Sequence, residues 1–271
     1  MNASLSEEYI TIDGIRTHVT QAGRGHPLVL IHGLGGPLMW QRVIDPLSQH
    51  FHVLVVDLPG FGDSDCPPKP FATEQCAEFI VHLLDGLSIQ KATLIGISYG
   101  GQIGATVAFR YPERVEKLVL IASTGLTPNG FLTRSIPWRI ISAIMKNIVF
   151  RNRLLMRISS DLSFYDKSNR PSDFLQKFYR QISHDGKRDA WVNCLRNILL
   201  PDEDFIKNLS TLEIPVLIIW GENDRTISSK LAFEFQKRIP YSKVKLFSEC
   251  AHSVPLEKPK ELSTAIFEFA G

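Results

Sequence analysis

The sequence of 271 residues lacks the features that mark several large classes of protein. Its four cysteines, Cys66, Cys76, Cys194 and Cys250, are scattered and form no C-x-x-C pair, which excludes a disulfide scaffold and predicts reduced thiols. No apolar run reaches the roughly 18 residues of a spanning helix, and the polar N-terminus lacks the regions of a signal peptide. The formal net charge of +2 is too small to favour nucleic-acid binding. We therefore expect a cytoplasmic protein with no nucleic-acid partner.

Motifs that hold a metal ion or a nucleotide cofactor are also missing from the sequence. Nowhere do His, Cys, Asp and Glu recur at the spacing of a metal site. The segment His32-Gly33-Leu34-Gly35-Gly36 lacks the G-x-x-x-x-G-K pattern of a phosphate-binding loop, and Gly60-Phe61-Gly62 is not followed by the third glycine of a dinucleotide motif. We therefore expect neither a cofactor nor a metal ion.

What the chain contains instead is a regular alternation of strand and helix patterns. Apolar runs with strand character are separated by segments with helical spacing, and they lie at 27–31, 53–56, 92–97, 115–121 and 215–220. Strands buried on both faces predict an α/β fold with a mostly parallel central sheet and helices on both faces. An alternating pattern around Asp13-Gly14 predicts a hairpin at the edge of that sheet. Helices are expected over 40–49 and 73–87, the second with Thr73 as its N-cap.

The alternation stops in the second half of the chain. Between Thr127 and Ser210 there is no strand pattern, and helical spacing occurs over 135–150, 152–159, 172–183 and 187–200. We predict a core domain of residues 1–126 and 211–271, interrupted by a helical cap of residues 127–210. An insertion between two strands of a parallel sheet is well placed to cover a site at the strand ends.

The most informative segment surrounds Ser98. An apolar strand ends at this serine, Gly96 precedes it by two residues, Gly100 follows it by two, and a helical pattern begins at once. A G-x-S-x-G sequence in this context is typical of a nucleophile elbow, a strained turn that lifts the serine hydroxyl clear of the sheet. Glycines are needed where strand and helix pass close to the turn. The helix N-terminus beneath the serine faces negative charge that develops there.

Several segments together resemble the α/β-hydrolase superfamily, in its capped, single-domain esterase-like branch. They are His32-Gly33-Leu34-Gly35, Asp57-Leu58-Pro59-Gly60-Phe61-Gly62-Asp63-Ser64, Gly96-x-Ser98-x-Gly100-Gly101 and Gly221-x-x-Asp224. The resemblance extends from the first strand to the last helix, and only the predicted cap lacks recognisable motifs.

A serine hydroxyl needs a base to take its proton, and the base needs a third group to orient it. In this family the acid and then the histidine follow the nucleophile along the chain. The strand that ends at Trp220 leads to Glu222 and Asp224, and the resemblance implies that Asp224 is the acid. The resemblance likewise implies that His252 is the base, although Ala251 stands before it where the family usually has glycine.

Attack on a carbonyl creates an oxyanion, which needs preorganised amide donors. We expect one donor to be the backbone N–H of Tyr99 and the other to be the N–H of Leu34. Gly33 and Gly35 allow this loop to approach the substrate, and His32 is expected to hold the loop in shape.

The cap carries aromatic and basic side chains whose role the sequence leaves open. Trp138, Phe164 and Trp191 are expected to line an acyl pocket, with packing in the cap's own small core as the alternative. Between Phe131 and Ser160 there is no acidic residue, and six basic residues are interleaved with apolar ones: Arg134, Arg139, Lys146, Arg151, Arg153 and Arg157. We expect these helices to turn apolar residues to the core and basic residues to water, with weak contact to an anionic membrane surface as the alternative.

The leading hypothesis is hydrolysis of a small-to-medium carboxylic ester through an acyl-enzyme on Ser98. The same triad also serves hydrolysis of a carbon–carbon bond, a thioester, a lactone or an acylglycerol, because specificity lies in the cap. A serine at the elbow disfavours dehalogenases and epoxide hydrolases, which carry aspartate there. A hydrolase-like ligand receptor with slow or no turnover is the alternative from another class. The partner is expected to be a small molecule, and the sequence does not determine the oligomeric state.

Overall fold

Eight strands form one sheet in the order β1-β2-β4-β3-β5-β6-β7-β8. The structure, a computed structural model, describes residues 5–126, 137–182, 185–200 and 202–271. The strands are β1 (Ser6–Ile12), β2 (Ile15–Ala22), β3 (Pro27–Ile31), β4 (His52–Val56), β5 (Ala92–Ile97), β6 (Val115–Ile121), β7 (Val216–Gly221) and β8 (Ser242–Phe247). The β1–β2 hairpin turns at Asp13-Gly14, and β2 pairs antiparallel with β4. Every other pairing is parallel.

Helices flank the sheet and also fill the interval between β6 and β7. They are α1 (Ile44–Ser48), α2 (Thr73–Gly86), α3 (Tyr99–Arg110), α4 (Trp138–Ile144), α5 (Arg153–Leu162), α6 (Phe174–Gln181), α7 (Asp185–Leu199), α8 (Glu203–Asn208), α9 (Lys230–Arg238), α10 (Val254–Glu257) and α11 (Pro259–Ala270). A π-helical segment, Met145–Val149, follows α4. None of the described helices is long and apolar enough to cross a membrane.

The central strands are apolar without interruption because both of their faces are covered. In β3, Val29 and Ile31 join one buried cluster with α2, α3 and α9, whereas Leu28 and Leu30 join a second cluster with α1 and α11. Residues that alternate along a strand point to opposite faces, so each face needs its own apolar set. The predicted fold, a mostly parallel sheet between two layers of helices, is confirmed.

Several local predictions need correction. Thr73 is the first residue of α2 and not its N-cap, and its hydroxyl lies 3.2 Å from the Tyr99 hydroxyl. The helix predicted over 40–49 is a 3₁₀ turn at Pro37–Trp40 followed by α1. Pro46 explains this break, because it has no N–H to continue a helix that begins at Trp40. The helix predicted over 135–150 is α4 followed by the π-helical segment.

The predicted start of the cap at Thr127, residues 135 and 136 of its first helix, and Arg134 lie outside the described residues. The short helix α8 was missed, although Asp202 caps it by accepting a 2.8 Å hydrogen bond from the Phe205 N–H. No strand interrupts the described residues between β6 and β7.

The expectation that apolar residues of the basic stretch turn to the core holds only for part of them. Phe150 and Met156 are buried in a small cluster with Phe178, Ile182 and Val192, and Trp138, Met145 and Val149 pack against it. Six other large apolar side chains of this stretch are exposed to solvent: Ile140, Ile144, Ile148, Leu154, Leu155 and Ile158. The cluster is too small to cover every apolar side chain of two helices, so the prediction is wrong for these six residues.

We predict that Gly100→Ala lowers the free energy of unfolding by about 1–3 kcal/mol. A Cβ at this position would lie 2.0 Å from the Ile31 carbonyl oxygen and 2.8 Å from that of His32, and neither backbone atom can move freely. Gly104→Ala in the same helix is the matched control, since its Cβ would meet only a side-chain methyl of Leu118 at 3.2 Å and others at 3.9 Å. Urea denaturation of both variants measures the difference, and equal stabilities would contradict the prediction.

Candidate active site

Ser98 occupies the sharp turn between β5 and α3. Its backbone has φ 56° and ψ −121°, a left-handed conformation that is costly for a residue with a side chain. The turn is held by the Ser98 N–H, which donates to the Ile121 carbonyl at 2.8 Å, and by the Ser98 carbonyl, which accepts from the N–H groups of Gly101 and Thr124. A Cβ on Gly96 would lie 2.2 Å from the Gly100 carbonyl oxygen, so the strand and helix meet closely at this turn.

Asp224 and His252 form a hydrogen-bonded pair across two loops at the same edge of the sheet. His252 Nδ1 lies 2.8 Å from Asp224 Oδ2. Asp224 Oδ1 accepts hydrogen bonds from the N–H groups of Thr226 and Ile227 at 2.7 and 2.9 Å, which fixes the carboxylate. A carboxylate only accepts, so Nδ1 carries the proton and Nε2 is left as the basic nitrogen. Glu222, the other acid considered, is exposed.

The His32 loop lies directly against the serine turn. A Cβ on Gly33 would lie 2.9 Å from Ser98 Cβ and 3.2 Å from the Tyr99 backbone nitrogen. His32 Nε2 accepts from the Leu58 N–H at 3.1 Å, so its Nδ1 is the donor to the Gly33 carbonyl at 2.8 Å. Burial lowers the pKa of His32, which favours this neutral form. The ring thus joins the loop after β3 to the loop after β4.

One cavity of about 280 Å³ includes Ser98 and His252 in its lining. Gly33, Leu34 and Gly35 form part of its wall, and helices α5, α6 and α7 contribute most of the rest. Apart from the Trp191 indole, its polar side chains among the described residues are hydroxyl groups and one imidazole: Ser98, Thr124, Ser159, Ser160, Ser163, Thr226, Ser253 and His252. No described residue in the lining carries an amine, a guanidinium or a carboxylate.

Of the three aromatic residues predicted for the pocket, Phe164 and Trp191 line the cavity. Trp191 also donates from Nε1 to the Leu34 carbonyl at 3.0 Å, which connects α7 to the His32 loop. Trp138 is not in the described lining, and it packs instead against the cluster around Phe150 and Phe178. The pocket prediction for Trp138 is therefore corrected. Helical spacing in the sequence does not reveal which side of α4 faces the cavity.

Glu257 supports the histidine loop, a role that sequence patterns did not assign to it. This buried carboxylate accepts from the Ala251 N–H at 2.8 Å, next to His252, through Oε2. Its Oε1 accepts from the N–H groups of Tyr165 and Asp166, at 2.7 and 3.1 Å, just beyond α5. Glu257 therefore fixes the histidine loop to the helices that precede β7. Its place just before α11 was visible in the sequence, but the identity of its partners was not.

A second set of hydrogen bonds, largely buried, connects the loop after β4 to β2. His18 Nδ1 lies 3.0 Å from Asp57 Oδ2, which also accepts from the Asp63 N–H at 2.8 Å. The Ser64 hydroxyl accepts from the His18 N–H and donates to the Asp57 carbonyl. His18, Asp57 and Asp63 are the described His, Cys, Asp and Glu residues whose ligand atoms lie close enough to share a metal ion. Asp57 Oδ2 already has two hydrogen-bond partners within the protein, His18 and the Asp63 N–H. These contacts explain why the three residues lie together without invoking a metal ion.

Comparison with known proteins agrees with this architecture. A sequence model described as the alpha/beta hydrolase fold matches residues 26–259. A 2-hydroxy-6-oxononadienedioate/2-hydroxy-6-oxononatrienedioate hydrolase of Burkholderia vietnamiensis is 28% identical over 98% of this chain and 96% of its own. A 2-hydroxy-6-oxo-2,4-heptadienoate hydrolase of Pseudomonas putida is 25% identical over 94% and 93%. Among solved structures, a bacterial membrane phospholipase A superposes with a TM-score of 0.82 and 26% identity, over 98% of this chain and 86% of that one.

The fold, the serine turn and these matches together define a class of protein. The chain belongs to the α/β-hydrolase fold family, and it is an enzyme of that class.

We predict that His18→Gln changes the pH dependence of stability. The hydrogen bond with Asp57 raises the pKa of His18 above its ordinary value of 6.5, with smaller contributions of the same sign from the charges of Asp57, Asp63 and Glu7, against the effect of burial. Because the pKa of His18 is higher in the folded state than in the unfolded state, its protonation stabilises the fold at pH values below the unfolded-state pKa. This stabilisation is lost as the pH rises through the folded-state pKa. The free energy of unfolding of the wild type should therefore exceed that of the variant by about 1–2 kcal/mol in mild acid and by less above neutrality.

Urea denaturation at a series of pH values measures the His18 effect. His82→Gln is the matched control, because His82 pairs with Asp13 at the surface, where both side chains are about half exposed. A difference between wild type and the His18 variant that stays constant with pH would contradict the prediction.

Proposed function

We propose that the protein hydrolyses small-to-medium, uncharged carboxylic esters through an acyl-enzyme on Ser98. One observation carries the proposal: Ser98 and His252 line a single cavity whose described walls hold no charged side chain, with Asp224 hydrogen bonded behind the histidine. A small-molecule substrate fits the cavity volume of about 280 Å³, near the lower end for ligand pockets.

In this proposal each residue has a defined role. Ser98 Oγ attacks the ester carbonyl while His252 Nε2 takes its proton, and Asp224 holds the imidazole and stabilises its charged form. The N–H groups of Leu34 and Tyr99 receive the oxyanion. His252 then returns the proton to the departing alcohol. A water molecule, activated by the same histidine, attacks the acyl-enzyme and releases the acid and the free Ser98 hydroxyl.

The second candidate is hydrolysis of a carbon–carbon bond, and the relatives favour it. Their names describe hydrolases of dienoates and dienedioates, which are carboxylate anions. A buried carboxylate is normally paired with a cation, and hydroxyl donors such as those of this lining compensate only in part for its lost hydration. The described lining offers no cation, and Arg170, which donates to Ser160 at 3.4 Å, is engaged by Asp161. The cavity is therefore better suited to a neutral substrate than to these anions.

Other candidates use the same site. Thioesters, lactones and acylglycerols are neutral acyl compounds that the proposed triad also serves. A ligand receptor with slow or no turnover is the remaining candidate, because a site of this shape also binds without reacting. Acylation of Ser98 separates this last candidate from all the others.

We predict that a fluorophosphonate forms one adduct, on Ser98. Ser98→Ala should abolish the adduct because the nucleophilic oxygen is lost, and Asp224→Asn should lower kcat about 10⁴-fold because the histidine loses its required tautomer. Glu222→Gln is the matched control, since this neighbouring carboxylate is exposed and should leave kcat unchanged. Intact-protein mass spectrometry and ester turnover are the measurements. An adduct that persists in Ser98→Ala would refute the proposed nucleophile.

We predict that neutral esters are better substrates than anionic dienoates. The value of kcat/KM for p-nitrophenyl butyrate should exceed that for 2-hydroxy-6-oxo-2,4-heptadienoate, the substrate in the name of the Pseudomonas relative, by about 100-fold or more. Release of p-nitrophenol and loss of dienoate absorbance measure the two rates with the same enzyme sample. A higher kcat/KM for the dienoate, abolished by Ser98→Ala, would replace ester hydrolysis with carbon–carbon hydrolysis while the nucleophile stands.

A further inference from the structure

Helix α5 carries a continuous apolar stripe that faces solvent. Leu154, Ile158 and Leu162 follow one another at intervals of four residues, with Leu155 beside them, and their exposed fractions are 64%, 48%, 48% and 38%. Side chains at this spacing lie on one side of a helix. Leucine and isoleucine side chains gain stability when they are removed from water, so four such exposed side chains on one face call for a partner.

A second exposed stripe lies on the adjoining segment. Ile140, Ile144 and Ile148, again at intervals of four, are exposed by 44%, 45% and 57% along α4 and the π-helical segment. The π-helical segment packs against α5. Half of the large exposed apolar side chains in the described part of the chain belong to these two stripes, which we call the apolar face. Single exposed apolar residues are ordinary, but a contiguous set marks an interaction surface.

Basic side chains accompany the apolar face. Arg139, Arg151, Arg153 and Arg157 are exposed, and Lys146 is part-exposed and paired with Asp189. Residues 137–160 contain no acidic residue. Within the described residues, no carboxylate lies at ion-pair distance from Arg139, Arg151 or Arg157. The partner of this face is therefore apolar in its interior and negatively charged at its surface.

Helix α5 also borders the cavity. Met156, Ser159, Ser160 and Ser163 line the cavity on one side of the helix axis, whereas Leu154, Ile158 and Leu162 lie on another side and Arg153 and Arg157 on the third. A surface that binds the apolar stripe thus contacts the outer side of the same helix that walls the cavity. The cavity and the apolar face are separated by the thickness of one helix.

We propose that the apolar face docks the protein on the surface of an anionic lipid bilayer. Acyl chains match the exposed leucine and isoleucine side chains, and lipid phosphates match the arginines beside them. A second copy of the chain, paired face to face, would bring two sets of arginines together, so charge disfavours that occupant. Nucleic acid would meet the arginines but leave the apolar stripes without a partner. The proposal concerns binding alone and does not depend on the reaction at Ser98.

Vesicle co-sedimentation tests the proposal. The full-length protein should bind vesicles of phosphatidylcholine with phosphatidylglycerol and bind weakly or not at all to pure phosphatidylcholine. Binding should fall as the salt concentration rises, because the arginines are exposed to screening. The triple variant Arg139→Gln/Arg151→Gln/Arg157→Gln should bind about 100-fold more weakly, at roughly fivefold for each arginine. The control Lys207→Gln/Lys237→Gln removes exposed charges elsewhere and should bind as wild type.

The apolar contribution has its own variant. Leu154→Gln/Ile158→Gln/Leu162→Gln should weaken binding by roughly tenfold or more, since three side chains no longer enter the acyl region. Phe233→Gln/Tyr241→Gln changes exposed apolar residues elsewhere and is the matched control. Circular dichroism and thermal unfolding verify that each variant is folded, and the wild-type salt series remains a test if one is not.

Three results would overturn the proposal. The first is no binding of wild type to anionic vesicles at low salt. The second is binding that the apolar variant leaves unchanged, which would reduce the contact to charge alone. The third is a wild-type dimer in solution that the apolar variant converts to a monomer, since a second copy would then cover the face.

Discussion

The close contact between the ends of β3 and β5 is the constraint on which the rest of the site depends. Gly100 lies against the carbonyls of Ile31 and His32, and Gly33 lies against Ser98 and the Tyr99 nitrogen. Side chains at these glycines would force the end of β3 and its following loop away from the serine turn. The strained conformation at Ser98 persists because the sheet register and three hydrogen bonds hold it from both sides. The serine and the His32 loop are therefore positioned by the central strands of the sheet.

This constraint explains why the core was predictable from the sequence. Strands such as β3 and β5 are apolar on both faces, and Gly96 is required by its contact with Gly100 in the same turn, so these signals are local. Asp224 and His252 follow strand ends, and parallel strands bring such ends to one edge of the sheet. The hydrogen bond between them could be anticipated from chain order and a family resemblance, although 28 residues separate them.

The supporting contacts were not predictable because they are long-range and have no fixed pattern. Glu257 accepts from the Tyr165 N–H 92 residues away, and His18 meets Asp57 39 residues away. An acidic residue or a histidine at such a position resembles many that are solvated. The prediction that Trp138 lines the cavity was wrong for a related reason. A helix between β6 and β7 has apolar residues on more than one side, so periodicity alone does not identify the side that faces the cavity.

The exposed stripes could not be predicted from the sequence for the same reason. A helix that covers a cavity needs one side toward the substrate and one toward water, but α5 has a third side of Leu154, Ile158 and Leu162. These residues contribute nothing to the cavity lining and are not used by the cluster around Phe150. A surface helix with no other role stabilises the protein best when such positions are polar. Selection for folding alone therefore does not account for the apolar stripe of α5. A helix that lines a neutral cavity and also contacts an apolar partner needs one side for the cavity, one for the partner and one for water.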